Sequence, residues 1–451
     1  MSKVKKLACT VLVIFLISVI FVGCGSTTSS NQNTTAPAPA PALAAEPSSS
    51  SDAKPEPKTV KFWWLLGGAE SDVMSKVVKM FNESQSKYVV EGTSVPDLEK
   101  TVTAMSSGDG PDIIWLFTSE IANYADKGLI ENLDKYVKKD NFDLGQFTEL
   151  SIKSTSYKGS LYSMPLNTTV ISMFYNKDLL SAAGYTEPPK TMQELYDMSL
   201  KITKTDSKGD INVMGFPLFD PYAYQLEGVY AFGGRYMDDN GNLTPDHPGI
   251  IESLKMNVAY RKEYGNDAVN KFMATAATNV YTVGDIFMSG KQAFRFDGPW
   301  LCKMIESSAP SLNYGIAFIP GTDGKPETYG ASRVESALLM MPFNAKEKDG
   351  AWEVMKFFAT GDGAKTLDFG VGWVPAYKNL FTAPEIQQNK GFKEFIDQIN
   401  LGRGTIFPMF SGASEYNTKI GEYFDYVYSG KMTPEAAMAE LKEQVKNLKT
   451  K

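Results

Sequence analysis

The stretch that decides the fold is TVKFWWLLGGAESDVMSKVVKMFNESQSKYVVEGT, residues 59–93. Thr59 to Leu66 is a short strand-like run that ends at Gly67-Gly68. The period then changes. Val73, Val77, Val78 and Phe81 recur at helical spacing, and Glu70 and Asp72 lie in the first turn, where the helix dipole favours acids. Tyr88 to Thr93 is a second strand. Beyond it Leu98 to Ser106 reads as a helix, Gly110-Pro111 breaks the chain, and Asp112 to Phe117 is a third, buried-type strand. A further helix follows through Lys127, with Ser119 placed to cap it and Gly128 to end it. Strands alternating with helices imply a parallel sheet covered by helices, the doubly wound α/β arrangement. Ligands of such sheets sit at the carboxyl ends of the strands. Trp63 to Glu70 and Trp115 to Glu120 both fall at such ends.

The rest of the chain mixes similar pieces. Tyr162 to Tyr175 is extended, Met192 to Lys204 helical, Gln292 to Asp297 and Asn313 to Ile319 strand-like, and Ala351 to Ala359 an amphipathic helix. The tail TPEAAMAELKEQVKNL, residues 433–448, is a capped helix with Thr433 as N-cap and Pro434 at the first helical position. The folded part, from Lys58 to Lys451, is too long for one hydrophobic core and suits two lobes.

The chain opens with Lys3, Lys5 and Lys6 and an uncharged apolar run from Leu7 to Val22, then Gly23 and Cys24. A basic start, an apolar core and a small residue at the cut form a secretory signal. The run is shorter than the roughly 20 residues that span a bilayer. Cysteine directly after the small residue resembles a bacterial lipobox, with Phe21 where leucine is usual; this implies cleavage before Cys24 and a lipid on its sulfur. The Ser, Thr, Asn, Ala and Pro-rich residues up to 57 cannot bury a core and read as an extended tether. The chain is therefore expected outside the cytoplasm, held to the membrane face by its N-terminal lipid.

Composition excludes several functions. The full chain carries −7; the signal holds three lysines and no acid, so the mature chain carries −10. No basic patch dominates, which argues against nucleic acid as a partner. His247 is the one histidine, so histidine-based metal sites and Ser-His-Asp chemistry are not expected, nor is any cofactor. After processing, Cys302 is the one cysteine left with a free thiol, so no intrachain disulfide forms.

Four segments together resemble the extracellular solute-binding proteins of ABC importers, in the sugar-binding group typified by maltose-binding protein. They are Gly110 to Trp115 with Tyr124-Ala125 and Gly128 to Ile130; Tyr162 to Pro165 with Phe174 to Leu179; Phe294 to Trp300 (FRFDGPW) with Asn313 to Gly315 and Pro320; and Trp352 to Phe358 with Val374 to Ala376 and the stretch from Tyr416 to Gly430. The resemblance implies two α/β lobes, each a mostly parallel sheet flanked by helices, with a ligand cleft at the hinge. It places crossings near Pro165 to Thr169, Ile319 to Gly321 and Gly361. Residues 1–23 are then the signal and 24–57 the lipidated tether. Residues 58–166 with 320–361 form the first lobe, and 167–319 with 362–451 the second. The implied partners are a carbohydrate and the membrane subunits of a permease, and the protein is expected to be a monomeric binder rather than an enzyme.

A sugar site needs aromatic planes for C–H faces and carboxylate or amide groups for hydroxyls. The resemblance puts a stacking tryptophan at Trp300, a carboxylate and stacking tyrosine at Asp220 and Tyr222, and an aromatic from the tail at Tyr416. Replacing Trp300 by alanine is expected to weaken binding and spare the stability of the ligand-free protein. Trp63 and Trp64 end a strand with side chains on opposite faces, so at most one lines the cleft. Ser119 and Glu120 stand where maltose binders carry charged hydroxyl-binding residues of other types, which argues against maltose; a helix cap is an equal reading of Ser119. Asn167 and Thr168, with Thr169, lie at the hinge crossing, where the resemblance would place a glutamate in a maltose binder, and imply a different sugar. Asp297 is a further carboxylate, open with Asp220 to the paired roles of a glycoside hydrolase. Arg333 with Glu335, and Trp373, are open between cleft and surface pair or core. Asp112 is expected to fix its loop rather than touch ligand.

Overall fold

In the strand Lys58–Trp64, Val60, Phe62 and Trp64 are buried while Lys58, Thr59 and Lys61 are exposed, the two-residue period of a sheet with one face on a core. The same chain reappears in the computed structural model as the second strand of a five-stranded sheet, ordered Tyr88–Ser94, Lys58–Trp64, Ile113–Phe117, Ala337–Met340 and Ser163–Pro165. The model describes residues 56–450 apart from 109, 217–224, 278, 279 and 449, with backbone alone at 225, 226 and 277. The signal segment, Cys24, the tether up to residue 55, and Asp220 and Tyr222 lie outside the described residues.

The first three strands of this sheet are parallel, and Ala337–Met340 runs antiparallel to both of its neighbours. Its faces are sorted by the pleat. Ile113, Trp115 and Leu339 join Phe62 and Trp64 on one core; Ile114, Leu116, Leu338 and Met340 face the other. Phe62 meets Trp64 and Phe358 edge-on, each at 5.2 Å between ring centroids. A fully buried Phe contributes about 1.5–3 kcal/mol by burial alone, so these rings anchor the helix Lys348–Ala359 to the sheet. Asp112 fixes the loop before Ile113: its carboxylate accepts from the backbone N–H of Lys61 (2.9 Å), Lys346 (2.6 Å) and Glu347 (3.0 Å).

The second lobe departs from the expected parallel sheet. Its central strand Ser172–Asn176 is flanked by Phe294–Asp297 and Tyr314–Ala317, both antiparallel to it. The reason is the chain path. Ser172–Asn176 enters the lobe from the crossing and runs away from it, whereas the two flanking strands bring Asp297 and Ala317 back beside Ser172 and Met173. A small third sheet pairs Thr169–Val170, Ser332–Glu335 and Gly404–Ile406.

Two expected crossings also move. Ser332–Glu335 belongs to the small sheet and Ala337–Met340 to the first-lobe sheet, so the chain changes lobes at Ser336 rather than at 319–321. The helix Gly361–Val371 packs with the first lobe, as Leu367, Val371, Trp373 and Ala376 join its core. The chain therefore leaves that lobe after Ala376 and not at Gly361, so residues 362–376 belong to the first lobe and not, as expected from the sequence, to the second.

Asp368, on that helix, is fully buried, and neither carboxylate oxygen has a hydrogen-bond partner among the described residues. Burial pushes its pKa well above the carboxylate range. A carboxyl raised in the folded state stabilises below its unfolded value of about 3.9, and that contribution falls by about 1.4 kcal/mol per pH unit until the buried group ionises. Asp368→Asn is therefore expected to raise Tm at pH 7 by at least about 2 °C, with the gain shrinking toward pH 4. Thermal melts at pH 4, 5.5 and 7 check this, and an unchanged Tm at pH 7 counts against it.

Candidate functional site

A cavity of about 310 Å³ opens between the lobes. The first lobe contributes Leu66 after its first strand, Glu70 in the first turn of the helix Gly68–Ser84, and Trp115 and Phe117 from one strand. Two residues apart, Trp115 and Phe117 share a face, and their rings meet edge-on at 4.8 Å. Trp373, from the third crossing, stacks on Trp115 at 6.2 Å with 10° between planes. The crossings supply the floor, Asn167, Thr169, Arg333, Glu335 and Ala337, and the second lobe supplies Ile171, Trp300 and Met304. Trp300 begins the helix Trp300–Ser308 directly after Gly298-Pro299. A Cβ at Gly298 would stand 2.2 Å from the indole ring, so this position needs glycine. A second compartment of about 230 Å³, sharing Arg333 and Glu335, is lined by Thr118, Ser119, Glu120, Phe407 to Met409, Ser414 and Asn417.

Of the residues expected at the site, Trp300, Asn167, Arg333 and Trp373 line the first compartment, and Ser119, Glu120 and Arg333 the second. Ser119 caps nothing: a 3₁₀ turn Thr118–Glu120 precedes the helix Ile121–Asp126, which has no side-chain cap. Trp64 is core, its Nε1 donating to Ser71 Oγ at 2.9 Å. Trp63 lies half-buried on the opposite pleat and lines neither compartment. Thr168 is fully buried against the Thr148 hydroxyl at 2.7 Å. Tyr416 is fully buried and donates to the Tyr236 carbonyl at 3.0 Å. Helical spacing turns its helix, Ala413–Tyr428, so that Ser414 and Asn417 face the cleft instead. Asp297 is fully buried, ion-paired with Arg295 and hydrogen-bonded by Tyr281 and the Gly298 N–H, and offers nothing to a ligand. Phe117, 41 % exposed at a strand end, and Glu70 were missed as individual residues, although both lie in the segments placed at the ligand end of the sheet.

With this geometry in view, residues 68–365 match the bacterial extracellular solute-binding protein family. The chain belongs to that family. Relatives include the maltotriose-binding protein of Pyrococcus abyssi, 29% identical over 303 residues, a match that spans 65% of this chain and 61% of that protein's length. The galactooligosaccharide-binding protein of Bacillus subtilis is 26% identical, covering 79% of this chain and 82% of the relative. Among solved structures, CpMnBP1 with mannotriose bound is similar at 26% identity and a TM-score of 0.77, over 86% of this chain and 99% of that one. The maltose-bound MalE3 of T. maritima shares the fold at 22% identity and a TM-score of 0.71, over 87% and 100% of the two chains.

The charges of this solute-binding protein's cleft centre on Arg333. Its Nη2 donates to Glu335 at 2.9 Å, and its Nε lies 3.6 Å from the fully buried Glu227, which also accepts from the Arg333 backbone N–H at 2.9 Å. Burial pushes the Glu227 carboxyl up to about 7, with Arg333 pulling against it. Burial likewise raises the Glu70 carboxyl. The indole Nε1 of Trp115, in the cleft wall, is buried without an acceptor among the described residues. A carboxyl raised in the folded state stabilises below its unfolded value, about 4.3 for Glu, and that contribution is lost as pH rises to about 7. Glu227→Gln should flatten this decline: the Tm difference between variant and wild type is expected to grow from pH 5 to pH 7 and level off above. Parallel melting curves across that range would rule the assignment out.

Proposed function

We propose that the chain captures a neutral oligosaccharide in the interlobe cleft and delivers it to the membrane subunits of an ABC importer, from a lipid anchor at Cys24 on the outer face of the cell membrane, a Gram-positive surface being the better fit. The observation that carries the reading is the set of four rings, Trp115, Phe117, Trp373 and Trp300, brought to one cavity from both lobes and the crossing. Pyranose faces pack on such planes, and the rim supplies partners for hydroxyls: Glu70, Asn167 and Glu335 here, Ser119, Glu120 and Asn417 next door. Among the described residues Arg333 is the one cation lining the two compartments, and Glu227 and Glu335 both engage it. That balance disfavours acidic sugars. The names of the relatives, binders of maltotriose and galactooligosaccharide, agree with a ligand of several sugar units.

A glycoside hydrolase needs two carboxylates roughly 5–10 Å apart across the scissile bond. Asp297 is withdrawn from the cleft, and of the two carboxylates in the first compartment Glu335 is bound to Arg333, which favours binding over hydrolysis.

The test is a thermal-shift screen of residues 25–451 against malto-, manno-, galacto-, xylo- and cello-oligosaccharides, monosaccharides and an oligomer of uronic acid. A neutral oligosaccharide at a hundredfold excess over its Kd is expected to add about 2.7 kcal/mol of stability and to be recovered intact. Reducing-end release points to an enzyme; silence across the neutral panel sinks the carbohydrate reading. Glu70→Gln is expected to weaken the hit about tenfold or more, the loss of a hydrogen bond to a charged group. Trp300→Ala should cost at least as much in affinity. It should also lower the Tm of the ligand-free protein, against the expectation from sequence, because the ring packs on cores of both lobes.

A further inference from the structure

We infer that Tyr281, which lines neither compartment, is a positioning residue that sets the plane of the Trp300 ring, acting from a buried ionic frame. The inference rests on the sugar-stacking role proposed for Trp300. Stacking depends on ring orientation, so whatever fixes the indole fixes part of the affinity.

The indole Nε1–H of Trp300 donates to the Tyr281 hydroxyl at 2.8 Å. That hydroxyl donates in turn to Asp297, at 3.0 Å to Oδ1 and 3.2 Å to Oδ2. A phenol has one proton to give, so the direction of the chain is determined: indole to phenol to carboxylate. Asp297 is held by the Gly298 backbone N–H (2.8 Å) and by Arg295 Nε (2.7 Å). Arg295 Nη1 reaches both oxygens of Asp285, at 2.9 and 2.8 Å. Asp285 closes the circuit by accepting from the backbone N–H of Tyr281 at 3.0 Å, and the guanidinium lies 5.0 Å over the Tyr281 ring. Tyr281 is thus held at backbone, ring and hydroxyl.

Two features mark this frame as more than packing. Arg295, Asp285 and Asp297 are all buried, and a buried ion cluster is weak evidence for stability, since apolar residues of like size often do as well or better. Tyr281 also sits at φ +57°, in the left-handed region that a non-glycine residue adopts only when its surroundings dictate it. Both costs are repaid if the frame exists to hold one geometry. Trp300 packs on the first-lobe core as well as on two cores of the second lobe, so the geometry it holds is shared by both walls of the cleft.

Tyr281→Phe deletes the hydroxyl and keeps the ring, whereas removing Arg295 or either aspartate strands a buried charge. With the oligosaccharide that gives the largest thermal shift, Tyr281→Phe is expected to weaken binding about threefold to tenfold, the range of one net hydrogen bond. In a Trp300→Phe background, which has no indole N–H, the same change is expected to cost nothing further. Equal losses in both backgrounds, or none in the wild-type background, overturn the inference. A second readout needs no ligand. The Trp300 indole proton, assigned in the NMR spectrum by its loss in Trp300→Phe, is expected to be protected from exchange in the wild type and unprotected in Tyr281→Phe; unchanged protection overturns the inference too. A wild type that binds no carbohydrate defeats the proposed function instead, and the exchange measurement still decides the role of Tyr281.

Discussion

Everything in this molecule depends on three chain crossings lying side by side between the lobes. Such a waist buries backbone N–H and C=O groups outside a continuous sheet, and each needs a partner. Asn167 supplies the central stitch. Its backbone bridges to Pro375, and its side-chain oxygen accepts from the Ala337 N–H at 2.8 Å, so one residue ties all three crossings. Leu166 N–H to the Ala337 carbonyl (3.0 Å) and Thr168 N–H to the Val374 carbonyl (3.0 Å) extend the seam. Around Ser336 the Thr118 and Ser154 hydroxyls complete it. Small polar side chains collect here because a crossing has no ladder of its own.

The same seam forms the cleft floor, and this couples structure to function. Asn167, Thr169, Glu335 and Ala337 face the cavity from segments whose geometry the hinge fixes, while Trp115 and Trp300 stand on separate lobes. A ligand that touches both walls has contacts in the closed arrangement that the open one lacks, and only such differential contact shifts the equilibrium between them. Trp300 reaches the first-lobe core directly, so the ring expected to stack on ligand also carries packing energy between the lobes.

Much of this was legible in the sequence. Thr59 to Leu66 could be read as a strand with Trp63 and Trp64 on opposite faces, against an observed Lys58–Trp64, and Asp112 to Phe117 as a buried strand, although an all-apolar run hides which face is which. Asp112 was correctly read as a loop fastener. The failures have physical causes. Ser332 to Met341 contains no Gly or Pro, so the lobe change at Ser336 leaves no mark; backbone pairing, not composition, breaks the run there. The resemblance points Tyr416 at the cleft, but residues 413, 416, 420, 424 and 427 follow a helical stripe that buries it. Asp297 looked like a free carboxylate at a strand end. Arg295, two residues earlier and therefore on the same face, was the signal that it was paired, but Asp285, the other half of the frame, lies ten residues before Arg295 in turns that no helical or strand period marks.

The division of labour within the cleft follows from how its parts discriminate. Under the proposed function, every pyranose has a C–H face, so the four aromatic rings would supply affinity with little power to tell one sugar from another. Discrimination falls to groups whose hydrogen bonds a wrong hydroxyl leaves unpaired, because an unsatisfied buried donor or acceptor costs about 1–3 kcal/mol. In the first compartment those groups are Glu70, Asn167, Glu335 and the Nε1 of Trp115, which has no acceptor among the described residues; in the second they are Ser119, Glu120 and Asn417. Glu70, Trp115, Ser119 and Glu120 come from the first lobe, Asn167 and Glu335 from the crossings and Asn417 from the second lobe, which also holds the buried frame beneath Trp300. Under the proposed function, the first lobe and the crossings would carry most of the polar pattern that distinguishes one ligand from another, and the second lobe the ring plane against which it is read.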